Sequence, residues 1–274
     1  MNSQVAHYHG TPVWGNAGAI HKQAVSGAGA FVSFLRMDQM HASFMHATRV
    51  GLDNGAFSAW KRGIKIDWRE FYKRVELHID DPKLEFFVIP DVVEGGEEDN
   101  DRLILEMPAH LKSKAAPVWH LHESIDRLVE LCREWPRVCF GSSGEYAVIR
   151  TQQWHARMTE AFRAIYIDRQ FNTRIHGLRM LDGRVLGNYP LHTADSTNLA
   201  CNIPKFREKY PDITHSIESA DYCKGLSAAD VKRLVLQGRC AILKAAIEKV
   251  IPPSIGAWVD ALLEKENAQA EVFA

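Results

Sequence analysis

Short apolar or β-branched runs alternate with longer amphipathic stretches along most of the chain. The runs predict strands at 30–34, 50–57, 86–93, 116–122, 137–143, 174–180 and 191–196, with 212–217 as the candidate for an eighth. Between them, helical spacing of apolar residues predicts helices at 67–79, 123–135 and 151–166. This alternation is typical of parallel strands joined by crossover helices, and eight strands in about 250 residues fit a (β/α)8 barrel of the TIM type better than an open sheet.

The domain organisation follows from what lies between these elements. Neither a Gly-, Ser- or Pro-rich linker nor an internal repeat divides the sequence, so a single α/β barrel domain over 1–274 is expected. The segment 226–250 opens with Ser227-x-x-Asp230, a capping pattern, and predicts a long helix that closes the chain. Residues 265–274 are expected to be frayed.

Composition narrows the class of protein. The chain has 274 residues, of which 46% are hydrophobic and 24% charged, as in ordinary globular proteins, which excludes intrinsic disorder. It has no apolar run long enough for a membrane span, and the N-terminus lacks a signal-like segment, so a cytoplasmic location is expected. Five scattered cysteines argue against a disulfide framework. The net charge of -1 excludes a uniformly basic surface but leaves room for local basic patches.

Three aspartates stand at the ends of apolar predicted strands: Asp53, Asp91 and Asp195. The functional end of such a barrel is where its strands terminate, and a carboxylate there costs desolvation energy unless it has a partner or a task. The three together therefore indicate a site. Phe57, with Trp60 and Tyr146, is a candidate for sandwiching a flat ligand, although core packing is the commoner fate of such rings.

Four segments, in this order, resemble the tRNA-guanine transglycosylase superfamily: LDNGAF, IPDVVEG, FGSSGE and the HGLRM to HTADST stretch. The similarity covers roughly residues 28–200, and the joint order of the motifs carries it rather than any one of them. The short length and loosened motifs are most similar to the phage-type DNA-guanine transglycosylases. That resemblance implies exchange of guanine in DNA for a 7-deazaguanine base, without a cofactor, as protection from host restriction.

The resemblance also implies roles for individual residues. Asp195 would be the nucleophile that attacks C1′, Asp53 the acid/base, and Asp91 the acceptor for the Watson–Crick edge of the purine. The base-binding residues would be completed by Gly141, Ser142, Ser143 and Gly144 with His120 and Phe57. Nucleic acid would meet the basic residues that follow the first and last motifs, namely Lys61, Arg62, Lys205, Arg207 and Lys209.

Two departures from the family pattern bear on the substrate. The tRNA enzymes hold a structural zinc on a compact cysteine cluster, whereas Cys201, His215 and Cys223 are too dispersed here for such a site. Zinc is therefore not expected, and DNA is favoured over tRNA, which stays an alternative. The first motif also reads Asn54-Gly55-Ala56 where the family has Ser-Gly-Gly.

Two other interpretations of the sequence are open at this point. His120 and His122, at the period-two spacing of a strand, could form a metal site with His176 and Asp195 in a metal-dependent hydrolase. Alternatively, the chain could be a non-catalytic subunit that binds nucleic acid. Retention of three carboxylates at strand ends argues against that second alternative. Which 7-deazaguanine is inserted, the 7-cyano, 7-aminomethyl or 7-amidino form, is left open.

Overall fold

The structure is a computed structural model that describes residues 6–13, 18–205, 208 and 211–272. Its sheet is parallel throughout and contains β1 (His7–Gly10), β2 (Gly29–Ser33), β3 (Arg49–Asp53), β4 (Leu84–Val88), β5 (Ala115–Ala116), β6 (Val118–His120), β7 (Arg137–Gly141), β8 (Arg174–Gly177) and β9 (Thr193–Ser196). The strand order is β5-β4-β3-β2-β1-β9-β8-β7-β6.

The two edge strands in that order, β5 and β6, follow each other directly in the sequence. Pro117, which has no N–H to donate, separates β5 from β6. On one side Ile89 N donates to the Ala116 carbonyl at 2.9 Å, and on the other Cys139 N donates to the Pro117 carbonyl at 2.8 Å. The segment 115–120 thus connects both edges of the sheet. With β5 and β6 counted together as one strand, the described barrel has eight strands. The predicted α/β barrel of the TIM type is confirmed.

Helices alternate with the strands. They are α1 (Gly18–Val25), α2 (Met40–His46), α3 (Ala56–Arg62), α4 (Trp68–Glu76), α5 (Glu97–Leu105), α6 (Ile125–Glu134), α7 (Gln152–Arg163), α8 (Gly183–Leu186), α9 (Asn198–Asn202), α10 (Pro211–Glu218), α11 (Ala228–Glu248) and α12 (Ile255–Val272). Asp67, Ser124 and Ser227 cap α4, α6 and α11 through side-chain oxygens that accept backbone N–H bonds, and the cap at Ser227 confirms the capping pattern predicted from the sequence. None of the described helices combines the length and apolarity needed to cross a membrane.

The barrel interior is filled by its own small core. Tyr8, Phe31 and Phe86 meet in edge-on and tilted contacts, with ring centroids 5.8–6.5 Å apart. Glycine at two facing positions makes room for them, because a Cβ at Gly29 would lie 2.6 Å from the Tyr8 ring and one at Gly51 would lie 2.8 Å from the Phe31 ring. These rings form the floor beneath the C-terminal strand ends, so the space above them is open to a ligand.

The structure corrects three local predictions. Residues 212–217 belong to helix α10, not to a strand, and the remaining strand is β1, which the pattern missed. Residues 265–272, expected to be frayed, continue helix α12. That helix is held by Trp258, which is buried against Phe162 at a centroid distance of 5.7 Å.

Candidate active site

A cavity of about 400 Å³ opens at the C-terminal ends of the strands. The residues predicted from the sequence that line it are Asp53, Phe57, Lys61, Asp91, His120, Gly141, Ser142, Ser143 and Asp195. The three aspartates, which lie far apart in the sequence, therefore face one space. The volume is that of a small-molecule site.

The turn after β3 fixes the relation between the first two aspartates. Asn54 Oδ1 accepts a 2.7 Å bond from Ala56 N, and Asn54 Nδ2 donates to the Ile89 carbonyl and to Asp91 Oδ1, both at 2.8 Å. Gly55 has φ 80, in the left-handed region that favours glycine. The amide of Asn54 thus clamps the end of β3 to the loop after β4, a role that the sequence did not reveal.

Asp53 is in the environment of an acid/base group. Burial, followed by repulsion from Asp195 and Asp91, raises its pKa to about 7. The backbone N–H of Gly55 opposes this shift only in part. A carboxyl group with that pKa exchanges a proton readily at neutral pH, as general acid–base catalysis requires.

Asp91 is the cavity end of a chain of alternating charges. Its Oδ2 pairs with His120 Nε2 at 3.0 Å, His120 Nδ1 lies 3.4 Å from Glu123 Oε1, and Glu123 Oε2 accepts from Arg127 Nη1 at 2.7 Å. His120, Glu123 and Arg127 are all buried. The sequence placed His120 at the site, but it gave no sign of the two residues behind it.

His120 carries the positive charge next to Asp91. Burial lowers its pKa, but the hydrogen bonds to Asp91 and Glu123 outweigh burial and raise the pKa to about 9. Asn100 supports the arrangement by donating from Nδ2 to Glu123 Oε1 at 2.8 Å. An imidazolium with both nitrogens engaged holds the Asp91 carboxylate in place. His120 therefore contacts Asp91 from the side away from Asn54 Nδ2, which bonds to the other carboxylate oxygen.

Asp195, at the end of β9, is buried and is gripped on one side. Its Oδ1 accepts the backbone N–H of Arg179 at 2.8 Å, and Oδ2 has no hydrogen-bond partner among the described residues. His176 lies beneath it, with Nε2 3.4 Å from Oδ1 and Nδ1 2.7 Å from Thr193 Oγ1. Burial lowers the pKa of His176, so this ring is neutral. One carboxylate oxygen is thus fixed, and the other is available to the cavity.

The Gly141–Gly144 loop forms one wall. A Cβ at Gly141 would lie 3.1 Å from His120 Cδ2, so glycine allows that ring to reach Asp91. Ser142 Oγ accepts from Trp154 Nε1, which leaves its own hydroxyl hydrogen to donate, and Ser143 Oγ bonds to His122 Nδ1. Gly144 is not among the lining residues. This wall therefore offers the Ser142 hydroxyl together with backbone groups.

Arg179 is a lining residue that the sequence reading passed over. Its guanidinium lies over the Phe57 ring at 4.0 Å, and its backbone has φ 60. Phe57 in turn lies 5.6 Å from Trp60, whose side chain is half exposed and does not line the cavity, nor does Tyr146. The expected sandwich of aromatic rings is thus replaced by a row of Arg179, Phe57 and Trp60 that leads outward from Asp195.

The predicted nucleic-acid residues are not all at the cavity. Lys61 lines it, whereas Arg62 and Lys205 are exposed and do not. Arg207 and Lys209 lie outside the described residues. Arg179 adds a cation on the cavity side that these predictions did not include.

The two histidines proposed for a metal site are engaged by the protein. His122 bonds to Ser143 Oγ at 2.8 Å and to the Gly95 carbonyl at 3.2 Å, and it does not line the cavity. Across residues 6–13, 18–205, 208 and 211–272, no group of three or more His, Cys, Asp and Glu side chains is spaced to hold a metal ion. Cys201 is exposed and Cys223 buried, and both are free thiols.

Comparisons with known proteins do not assign a function to this chain. No family model matches the chain, and no curated protein matches it. A crystal structure of thiamine phosphate pyrophosphorylase from Bacteroides thetaiotaomicron is similar over 87% of this chain and 98% of that chain, with 9% sequence identity and a TM-score of 0.32. A similarity at that TM-score supports no conclusion about activity.

Proposed function

We propose that this protein is a base-exchange transglycosylase that replaces guanine in DNA with a 7-deazaguanine base. The observation that carries the proposal is the meeting of three carboxylates in one cavity, each in a different environment. Asp53 has a pKa of about 7, Asp91 is paired with a protonated histidine, and Asp195 presents one free oxygen. Divergent environments of neighbouring acids are typical of sites that divide acid, base and nucleophile among them.

Asp195 is the nucleophile in this mechanism. Its Oδ2 attacks C1′ of the nucleotide, the bond from C1′ to the purine nitrogen breaks, and that bond's electron pair leaves on the base. Asp53 in its neutral form donates a proton to the departing guanine. The incoming deazaguanine then returns its proton to Asp53, attacks C1′ and releases Asp195, so that the enzyme ends in its starting state.

Asp91 selects the base. An ionised carboxylate accepts hydrogen bonds from the N1–H and exocyclic amine of a guanine-type edge, and adenine lacks that pair of donors. The imidazolium of His120 stays paired with Asp91 over the neutral range, since the pKa of His120 is about 9. DNA is preferred to tRNA as the acceptor because the zinc cluster of the tRNA enzymes has no counterpart in this sequence.

The test is incorporation of labelled 7-deazaguanine bases into guanine-containing DNA and, in parallel, tRNA. Wild-type protein is expected to label DNA, and Asp195→Asn is expected to lose about 10³-fold or more of the rate while still binding guanine. Asp126→Asn, an exposed change on α6, is the matched control and keeps full activity. Labelling of tRNA alone would move the proposal to tRNA, and near-normal turnover by Asp195→Asn would refute this mechanism.

A further inference from the structure

A second depression adjoins the cavity on its outer side. It has a volume of about 560 Å³ and is lined by Ile149, Arg150, Thr151, His155, Arg184 and Asn188; we refer to it as the outer groove. Ile149 lines both the cavity and the outer groove, so the two are adjacent at this side chain. Its two arginines, a histidine, a hydroxyl and an amide are the side chains that proteins use to hold phosphate oxygens.

The charge of the outer groove is largely uncompensated. Arg150 Nη1 lies 3.6 Å from Asp182 Oδ2, a loose and exposed ion pair, while Asp182 Oδ1 already accepts from Arg184 N at 2.8 Å. The Arg184 guanidinium has no carboxylate within ion-pair distance among the described residues. Helix α7 also begins here, with Thr151 as its N-cap, and the positive end of its dipole adds to the field.

Backbone strain marks the same region. Arg150 has φ 71, and Arg179 at the cavity has φ 60. A non-glycine residue in the left-handed region costs on the order of 1 kcal/mol or more and is retained where the surroundings fix it. The backbone is therefore fixed by its surroundings at both arginines, one beside the cavity and one beside the outer groove.

The outer groove lies a short distance along the chain from Asp195. Arg179 N and Leu181 N donate to Asp195, and the three residues from Leu181 to Arg184 span at most about 11 Å. Because a stacked strand advances by about 3.4 Å per nucleotide and an extended strand by more, that upper limit spans no more than about three nucleotides. A strand whose nucleotide is attached to Asp195 would thus reach Arg184 with the phosphates of its neighbours.

We infer that the outer groove binds the backbone phosphates of the DNA strand whose guanosine occupies the cavity. This inference rests on the proposed function, because the strand is defined by the nucleotide at Asp195. Arg150 and Arg184 supply the charge, and His155, Thr151 and Asn188 line the path between them. The outer groove recognises phosphates and not bases, so it fixes the position of the strand without reading its sequence.

The experiment measures oligonucleotide binding by the double variant Arg150→Gln/Arg184→Gln. A single-stranded oligonucleotide with one guanine is titrated by fluorescence anisotropy at about 50 mM and about 200 mM salt. The double variant is expected to bind about tenfold more weakly at the lower salt, with a log–log salt slope reduced by about 1.4 for two lost phosphate contacts. Binding of free guanine stays unchanged, because the cavity is intact.

Two further variants control the result. Arg69→Gln/Arg74→Gln removes two exposed arginines from α4 and is expected to match wild type. Arg150→Lys/Arg184→Lys keeps the charge and is expected to restore the slope but not the full affinity, since lysine cannot bind phosphate in the bidentate manner of arginine. Thermal melting confirms that each variant is folded.

The outcomes separate this inference from the proposed function. An unchanged affinity and slope in Arg150→Gln/Arg184→Gln would overturn the inference, and so would an equal loss of affinity for guanosine 5′-monophosphate, which would assign the outer groove to a mononucleotide phosphate. Absence of base exchange by a wild-type protein whose oligonucleotide binding depends on Arg150 and Arg184 would overturn the proposed function and leave the outer groove standing as a binding site for nucleic acid.

Discussion

The Asp53 carboxyl binds its proton more tightly in the folded protein than in the unfolded chain. Its folded pKa is about 7, and an unfolded aspartate titrates near 3.9. Between these values the folded state holds the extra proton, so this group makes stability fall as pH rises, with the full loss reached above pH 7. The three-unit difference corresponds to a destabilisation of at most about 4 kcal/mol.

Asp53→Asn is therefore expected to gain stability relative to wild type as the pH rises. The asparagine resembles the protonated carboxyl but cannot ionise, so the two proteins should be closest near pH 4 and differ most above pH 7. Urea unfolding across that range measures the difference. The exposed Asp126→Asn is the control, with a curve parallel to wild type. A constant offset between Asp53→Asn and wild type would contradict the assigned pKa.

His120 provides an independent check on the charge chain behind Asp91. Because its pKa is raised to about 9, its stabilising pairing is complete below the unfolded value of about 6.5 and is lost as pH rises through 9. NMR titration should show this ring, identified by its absence in His120→Gln, protonated throughout the neutral range. Asp91→Asn is expected to lower that pKa by more than one unit, since it removes the paired charge. Titration of His120 near 6.5 in wild type would refute the pairing.

At the scale of elements, the alternation of apolar runs with amphipathic stretches was sufficient to predict most strands and helices of the barrel. Strand β1 was missed because it has only four residues, two of them histidines and one a glycine. Its two histidines face outward: His7 bonds to the Val250 carbonyl and His9 to Glu248. Those partners lie over 200 residues away, so no local pattern could reveal them. In α10, Ile217 lies against Gly238 of α11, and this helix contact overrides the apparent period of two.

The candidate site also contains residues that the sequence predicted and residues that it did not. The three aspartates were visible because each follows an apolar run, and strand ends share one face of a barrel. Glu123, Arg127 and Arg179 were not, because a charged residue on a helix or turn is most often a solvated one. Their burial or contact with the cavity depends on how strands and helices from different parts of the chain come together.

Helix α12 shows that polar composition alone did not predict the structure of the last residues correctly. Its last residues are polar, yet Trp258 anchors its first part against Phe162. Trp258→Ala is expected to cost about 3 kcal/mol, because it removes a large buried ring and leaves a cavity. Leu263→Ala on the same helix, where the side chain is 38% exposed, is the control and should cost far less. Equal losses in chemical unfolding would mean that α12 is not docked through Trp258.

At the scale of the whole molecule, charge is divided around the mouth of the cavity. The net charge is only -1, but the outer groove and the Arg179 side are basic, whereas the first turn of α5 holds Glu97, Glu98 and Asp99. Crossover helices run back along the barrel, so that first turn lies at the cavity end. If the proposed function holds, a DNA strand would be attracted to one side of the mouth and repelled from the other, and this would orient the strand before a base is recognised.

The acidic side yields the last prediction. Glu94 and Glu98 are exposed and make no ion pair among the described residues, so no neighbouring cation compensates their negative charges. Each charge opposes a phosphate about 10 Å away by about 0.4 kcal/mol in water, and salt screens the repulsion. Glu94→Gln/Glu98→Gln is expected to bind a single-stranded oligonucleotide about threefold more tightly at low salt, with the gain vanishing at high salt. Glu130→Gln/Glu134→Gln, an equal change on the exposed face of α6, should leave the affinity unchanged. Equal gains in both double variants would show that DNA responds to net charge alone and does not meet the protein at this end of the barrel.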